Sequence, residues 1–316
     1  MALIRVGIVG TGLSANQHVT ALRQMPEASV VGVAGTSREK ARAFAATWDI
    51  PAAFDSAPTL LAEGAIDVLH ACVPPDARVE LVRACAAHGV HILVEKPMAR
   101  TLAEADAMID IAAAGSITLG SMFQNRFTPL AQRTRQLVQA GDLGRVIIVE
   151  LSARWYREAE YYRGSAWRGS REREGGAVLI NQAIHGIDLL RWICGPVQEL
   201  SARVATQVQP IEMEDTGIAT LRFANGALGS IVATTAGWPG FSDRLEIQGT
   251  DGWARLIQAE GRLEWQRRGM REPVAEHAKS QVSGASRDPA ATPSAGHVAA
   301  FRDLYSAIAA GTRPAL

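Results

Sequence analysis

The chain has 316 residues, 47% of them hydrophobic and 20% charged, an ordinary globular composition with room for two domains. Lys plus Arg and Asp plus Glu are equal at 32 each, so no basic footprint for nucleic acid or an anionic membrane surface exists, and a small molecule is the expected partner. The cysteines Cys72, Cys85 and Cys194 lack the spacing of a disulfide frame or a zinc site, and no apolar run approaches the length of a membrane span.

Met1-Ala2-Leu3 runs straight into a strand pattern without a basic, apolar and small-residue leader, so the expected address is the cytoplasm. A strand is expected over Ile4 to Val9, followed by Gly10-Thr11-Gly12-Leu13-Ser14-Ala15 at the opening of a helix. A Gly-x-Gly-x-x-Ala run in that setting is a dinucleotide turn: Gly10 allows the tight bend, Gly12 lets backbone approach a pyrophosphate, and Ala15 lets the helix pack closely. A plain strand-to-helix turn is the alternative. A second strand, Ser29 to Val33, runs on into Ala34-Gly35-Thr36-Ser37-Arg38. NAD-preferring sites place a carboxylate there for the ribose hydroxyl; this chain has Thr36, Ser37 and Arg38, which favours NADP over NAD. Ser37 can also cap the helix that begins at Arg38, and the two roles are compatible.

Strands are further expected over Asp67 to Cys72, His91 to Val94 and Ile117 to Leu119, with helices over Ala77 to His88 and Leu102 to Ala114. Val73 and Pro74 follow one of these strands, and Glu95-Lys96-Pro97 another, at the carboxyl edge of a sheet where such folds bind ligands. Lys96 can there approach both a substrate hydroxyl and a nicotinamide, although the tripeptide alone reads equally as a solvated loop. The alternation of strand and helix gives a doubly wound parallel α/β domain over residues 1–122.

Residues 123–316 read differently. A helix from Pro129 to Ala140 precedes long alternating runs from Arg145, interrupted by one helix over Ala177 to Ile193 that Gly195-Pro196 stops. Thr216 to Phe223 and Ala227 to Ala233 flank the hairpin signal Asn225-Gly226, and Leu245 to Ile247 leads into the turn Gly249-Thr250-Asp251-Gly252. An open, mainly antiparallel sheet follows, then a mobile loop over 277–296 and a terminal helix, His297 to Ala310. In the interrupting helix Asn181, His185 and Asp188 fall on one face, as a satisfied core network or as catalytic apparatus. Ahead of it, Trp155-Tyr156-Arg157, Tyr161-Tyr162 and Trp167-Arg168 suit sugar stacking and hydroxyl or carboxylate binding, or the packing of a loop. His18 reads as helix packing, His70, His88 and His91 carry no metal spacing, and no metal site is expected.

The glycine turn, Glu95-Lys96-Pro97 and the helix carrying His185 and Asp188, in this order and spacing, resemble the Gfo/Idh/MocA oxidoreductase family, as do Gln124-Asn125-Arg126-Phe127, Gly141-Asp142-Leu143-Gly144 and the turn at Gly249 to Gly252. The resemblance spans nearly the whole chain. It implies a Rossmann domain followed by an open-sheet α+β domain, hydride transfer to or from a nicotinamide cofactor, and sugars, cyclitols or their nucleotide derivatives as substrates. It implies that Lys96 orients the substrate hydroxyl and that His185 is the principal acid/base, with Arg126, Tyr161, Trp167, Arg168, Asn181 and Asp188 toward the substrate. The cofactor would lie against Gly10, Thr11, Gly12, Leu13, Ser14, Thr36, Ser37, Arg38, Val73, Pro74, Glu95 and Lys96. It further implies a cis Lys96-Pro97 bond and a homodimer or homotetramer. Asn181 stands where many members carry Asp, and the sequence ends at Leu316 where related chains continue into a strand and helix. Transient-oxidation chemistry with a recycled cofactor, as in an epimerase, lyase or glycosidase, and a non-catalytic NADP(H) sensor are the competing functions.

Overall fold

Six strands near the N-terminus, β1 (Ile4–Val9), β2 (Ala28–Ala34), β3 (Ala52–Phe54), β4 (Val68–Ala71), β5 (His91–Val94) and β6 (Leu119–Ser121), form one parallel sheet. The computed structural model describes residues 3–279 and 295–316. Helices α1 (Leu13–Leu22), α2 (Arg38–Thr47), α3 (Ala57–Glu63), α4 (Arg78–His88) and α5 (Leu102–Ala114) are the crossovers. The strand order β3-β2-β1-β4-β5-β6 reverses between β1 and β4, and ligands of doubly wound sheets sit outside the carboxyl ends of the strands at that point. With helices on both faces the central strands are buried throughout, so β4 and β5 read as apolar runs broken only by His70 and His91. The last strand begins two residues later than expected, because Ile117 donates its N–H to the Ala112 carbonyl and Thr118 donates to His91 Nδ1, closing the end of α5.

Residues 125–296 are a second compact unit. Its elements are α6 (Pro129–Gln139), β7 (Val146–Arg154), α7 (Ala159–Arg163), α8 (Ile184–Cys194), β8 (Val197–Ala205), β9 (Thr216–Phe223), β10 (Leu228–Thr234), β11 (Arg244–Gly249), β12 (Gly252–Ile257), β13 (Arg262–Arg267) and β14 (Val274–His277). The sheet order is β14-β13-β12-β11-β7-β10-β9-β8, antiparallel at every junction except β7 with β10. Strand β9 shows why one face is covered: Gly217, Ala219, Leu221 and Phe223 are buried while Ile218, Thr220 and Arg222 are exposed. Leu130 and Leu137 of α6 and Leu189, Leu190 and Ile193 of α8 fill that inner face.

Two expectations are corrected. The single helix over Ala177 to Ile193 is instead a π turn, Val178–Gln182, followed by α8. The wide turn closes with the Ala183 N–H on the Val178 carbonyl, and the Glu214 carboxylate accepts the N–H groups of Ala177 and Leu179 at its start. The division at residue 122 also changes, since residues 297–316 are compact with residues 1–124. The terminal helix α9 (Ala295–Ala310) sets Leu304 against Gly120, so it completes the parallel-sheet unit. The loop expected over 277–296 falls mostly at 280–294, outside the described residues. No described helix is long and apolar enough to cross a membrane.

Candidate active site

One group of candidate residues lies at the carboxyl edge of the parallel sheet. Gly10 has φ +112°, and a Cβ there would collide with the Cys72 carbonyl, so both conformation and space require glycine. Gly12 differs: a Cβ would meet no protein atom within 4 Å, and as N-cap of α1 it has no side-chain cap and no acid in the first helical turn. Open space before uncapped helix N–H groups is the cradle a pyrophosphate fills, so the residues present fit a dinucleotide. Gly35 and Thr11 sit side by side, with a Cβ on the former 3.3 Å from Thr11 Cγ2, which brings the ends of β1 and β2 together. Ser37 caps α2 by accepting the Lys40 N–H at 3.3 Å, leaving its hydroxyl proton for another acceptor, and Arg38 is exposed beside it.

Arg78, which the sequence did not single out, ties the remaining loops. Its guanidinium is buried, donating from Nε and Nη2 to the Val73 carbonyl at 3.0 and 2.7 Å and from Nη1 to the carbonyls of Glu95 and Pro97. Burial lowers its pKa to about 10, against the opposing charge of Glu95. Val73, Pro74 and Glu95-Lys96-Pro97 are thereby held as one edge, and the Lys96-Pro97 bond is cis. Lys96 is half-buried, with its N–H on Glu95 Oε2 at 3.1 Å. The other Glu95 oxygen meets His18 Nε2 at 2.9 Å, so both carboxylate oxygens are engaged by protein groups.

A separate group of candidate residues belongs to the open-sheet unit. Gly186 lets α8 lie directly on β7, since a Cβ there would be 2.6 Å from Leu151 Cδ1. His185, one residue earlier, is therefore fixed in height over the sheet and remains partly exposed. Asp188 forms a bidentate ion pair with Arg126, one bond being Nε to Oδ2 at 2.8 Å. Burial pushes the Asp188 carboxyl up, and Arg126 opposes that. Asn181 is buried in the π turn and donates to the Glu174 carboxylate, which also accepts the Gly169 N–H. Tyr161 receives Gln182 Nε2 on its hydroxyl at 3.3 Å, and Arg168 lies over its ring at 4.3 Å and 5.4 Å from that of Trp167. Arg157 adds a third cation–π contact, 5.5 Å from the same tyrosine.

The structure thus brings Tyr161, Trp167 and Arg168 together beside the π turn, and Arg126 with Asp188 beside α8. Glu174 and Glu214, which organise the π turn, were missed. Glu214 lies 37 and 35 residues from the N–H groups it accepts, and Glu174 stands ahead of the glycine pair Gly175-Gly176, outside the expected helix, so no local pattern marks them.

Residues 4–123 match a family model described as an oxidoreductase family with NAD-binding Rossmann fold, and residues 131–255 match one described as a GFO/IDH/MocA C-terminal domain. The crystal structure of the WlbA dehydrogenase from Bordetella pertussis, in complex with NADH and UDP-GlcNAcA, superposes with TM-score 0.80 at 32% identity, covering 84% of this chain and 78% of that one. Myo-inositol 2-dehydrogenase of Thermotoga maritima is 25% identical over 256 residues, 79% of this chain and 74% of that protein. D-xylose 1-dehydrogenase (NADP(+)) 2 of Haloferax volcanii is 34% identical over 143 residues, 45% of this chain and 44% of that protein.

Proposed function

The chain belongs to the Gfo/Idh/MocA family of NAD-binding oxidoreductases, and from that premise we propose that it moves hydride between a nicotinamide cofactor and a secondary alcohol or ketone of a sugar, sugar acid or cyclitol. The observation that carries the reading is the uncapped α1 N-terminus at Gly12 together with the clamped Glu95-Lys96-Pro97 edge of the same unit. When bound, the nicotinamide supplies the hydride acceptor or donor. Lys96 holds the reacting hydroxyl by its ammonium, and His185 takes or returns the hydroxyl proton. Asn181 cannot take a proton, so its amide serves binding only and acid/base work rests on those two groups. Arg126, Tyr161, Trp167, Arg168 and Asp188 hold the sugar: the rings offer flat faces for stacking and the cations bind hydroxyl or carboxylate oxygens.

Thr36, Ser37 and Arg38 at the end of β2 support NADP over NAD. The relatives carry both, with NADH in the Bordetella complex and NADP(+) in the name of the Haloferax enzyme. We place the protein in the cytoplasm, where the thiols of Cys72, Cys85 and Cys194 stay reduced, and as a homodimer or homotetramer paired through the outer face of its open sheet.

A panel of sugars, sugar acids and cyclitols with NAD and NADP, read by reduced-nicotinamide absorbance, tests this. Turnover is expected with at least one member, and K96A and H185A should each lower kcat by about 10²-fold or more. Full activity in both single variants overturns the assignment of roles.

A further inference from the structure

Behind Lys96, four buried side chains of the parallel-sheet unit form one hydrogen-bonded line that the reaction as proposed does not use. Glu95 Oε1 meets His18 Nε2 at 2.9 Å, His18 Nδ1 meets His70 Nδ1 at 3.0 Å, and His70 Nε2 meets the Tyr305 hydroxyl at 3.0 Å. They come from the end of β5, the second turn of α1, the middle of β4 and α9, and none of the four is more than 8% exposed. We propose that His18 is a positioning residue for Lys96, acting through Glu95, and that His70 and Tyr305 hold the His18 ring in the orientation this requires.

The proton count supports that orientation. A contact between two Nδ1 atoms needs one donor and one acceptor. Burial alone would lower the pKa of His18, but Cys72 and Glu95 reverse that and hold it up, to about 10. Burial and the neighbouring His18 charge push His70 well below its ordinary value, so it is neutral. His18 therefore donates from both nitrogens, His70 accepts on Nδ1, and its remaining proton faces the Tyr305 oxygen. Burial would raise Glu95, but the hydrogen bond and charge of His18, with His297 and Lys96, hold it down, to about 2. The groups facing His18 are thus His70 and Cys72 from the β4 side, Glu95 after β5, and His297 and Phe301 from α9, with Lys96 beside Glu95 and Tyr305 beside His70. Glu95 Oε2 accepts the Lys96 N–H, and Arg78 fixes the carbonyls on either side, so the carboxylate's placement sets that of the Lys96 backbone. Loss of the His18 imidazolium leaves a buried carboxylate that either stays charged beside Lys96 or takes up a proton, and both outcomes change the field at the lysine.

The inference rests on Lys96 being the acid/base lysine, and its test has one arm that needs no substrate. The chain holds only three lysines, Lys40, Lys96 and Lys279, so reductive methylation with ¹³C-formaldehyde resolves each by NMR. H18Q keeps an N–H for Glu95 and removes the ring charge; Y305F removes one hydroxyl and leaves the ring stacked on Phe301. The Lys96 titration midpoint should move by about half a unit or more in H18Q, and less in Y305F, while Lys40 and Lys279 stay put. With a substrate from the panel, kcat should fall in the order wild type, H18Q, H18F, reaching about 10-fold, with the NADPH dissociation constant changed less than about 3-fold. A folded H18Q whose Lys96 titrates as in the wild type overturns the proposal. Absence of turnover in the wild type instead counts against the dehydrogenase reading, and the NMR arm still decides the positioning role.

Discussion

Arg38 is the only cation among the residues at the end of β2, where an NAD-selective site of this fold keeps a carboxylate for the ribose. A guanidinium on a 2′-phosphate is a charge-assisted contact worth about 1.5–3 kcal/mol, which corresponds to at least tenfold in affinity. R38A should therefore raise KM for NADP about tenfold and leave KM for NAD nearly unchanged; equal effects on both would remove the selectivity argument. Ser37 discriminates less, because it offers a phosphate one neutral hydroxyl donor while its oxygen accepts the Lys40 N–H. The His18–Glu95 pair has a pH signature as well. His18 is raised, so its contribution to stability is complete below its ordinary pKa of 6.5 and fades as pH climbs through about 10. Glu95 is lowered, so its share is complete above 4.5 and fades as pH falls through about 2. Thermal unfolding should show the pair's full effect between pH 4.5 and 6.5, with Tm declining from 6.5 toward 10. In H18Q the alkaline decline should flatten, and an unchanged slope from pH 6.5 to 10 would show that this imidazolium does not stabilise the fold.

At the scale of single elements, Gly186 tests how tightly α8 is set on β7. Gly to Ala inside a helix ordinarily gains about 0.5–1 kcal/mol. Here the new methyl would sit 2.6 Å from Leu151 Cδ1, and overpacking of this kind costs about 1–3 kcal/mol. G186A should lower the urea midpoint, and because His185 is the preceding residue, kcat should fall with it. A variant more stable than wild type would mean that α8 has room to lift. The sequence made such elements unequally legible. β1, β5 and α5 match the expected bounds residue for residue, since each is a local apolar pattern ended by a turn or capped by its own neighbour, as Thr101 caps α5. In sequence the π turn is indistinguishable from ordinary helix because its cause lies elsewhere: Glu214, far along the chain, accepts the N–H groups of Ala177 and Leu179. His18 and His70 carry no sequence signal for the same reason. The partners that give them meaning, Glu95 and Tyr305, come from β5 and α9, and no spacing along the chain records that meeting. Lys96 and His185 were legible only as parts of a family pattern, as neither residue's own neighbourhood distinguishes a loop lysine or a core histidine.

At the scale of the whole molecule, the open sheet presents a face that none of its own described helices covers. One outward row crosses the sheet through Arg203, Ile218, Val232, Ser152 and Arg244, and another through Glu199, Arg222, Leu228, Ile148 and Gln248. Ile218 is 52% and Leu228 56% exposed, branched apolar residues in rows that also carry Arg203, Arg244, Glu199 and Arg222. Between them the outward row through Glu150 carries the ion-paired run Glu246, Arg255 and Glu264. Exposed branched residues set among polar and ion-paired rows have the mixed composition of a non-obligate protein interface. In a two-fold assembly each residue is presented twice, so a substitution acts on both sides of the contact. A carboxylate buried without a partner costs about 3–5 kcal/mol, and at about 1.4 kcal/mol per decade one such loss weakens association by roughly two to four orders of magnitude. I218E combined with L228E should therefore convert an oligomeric wild type into a monomer by light scattering at micromolar concentration. Both side chains lie on the face opposite α6 and α8, so far-UV circular dichroism should be unchanged. A wild type already monomeric, or a double variant of unchanged mass, would rule out pairing through this face.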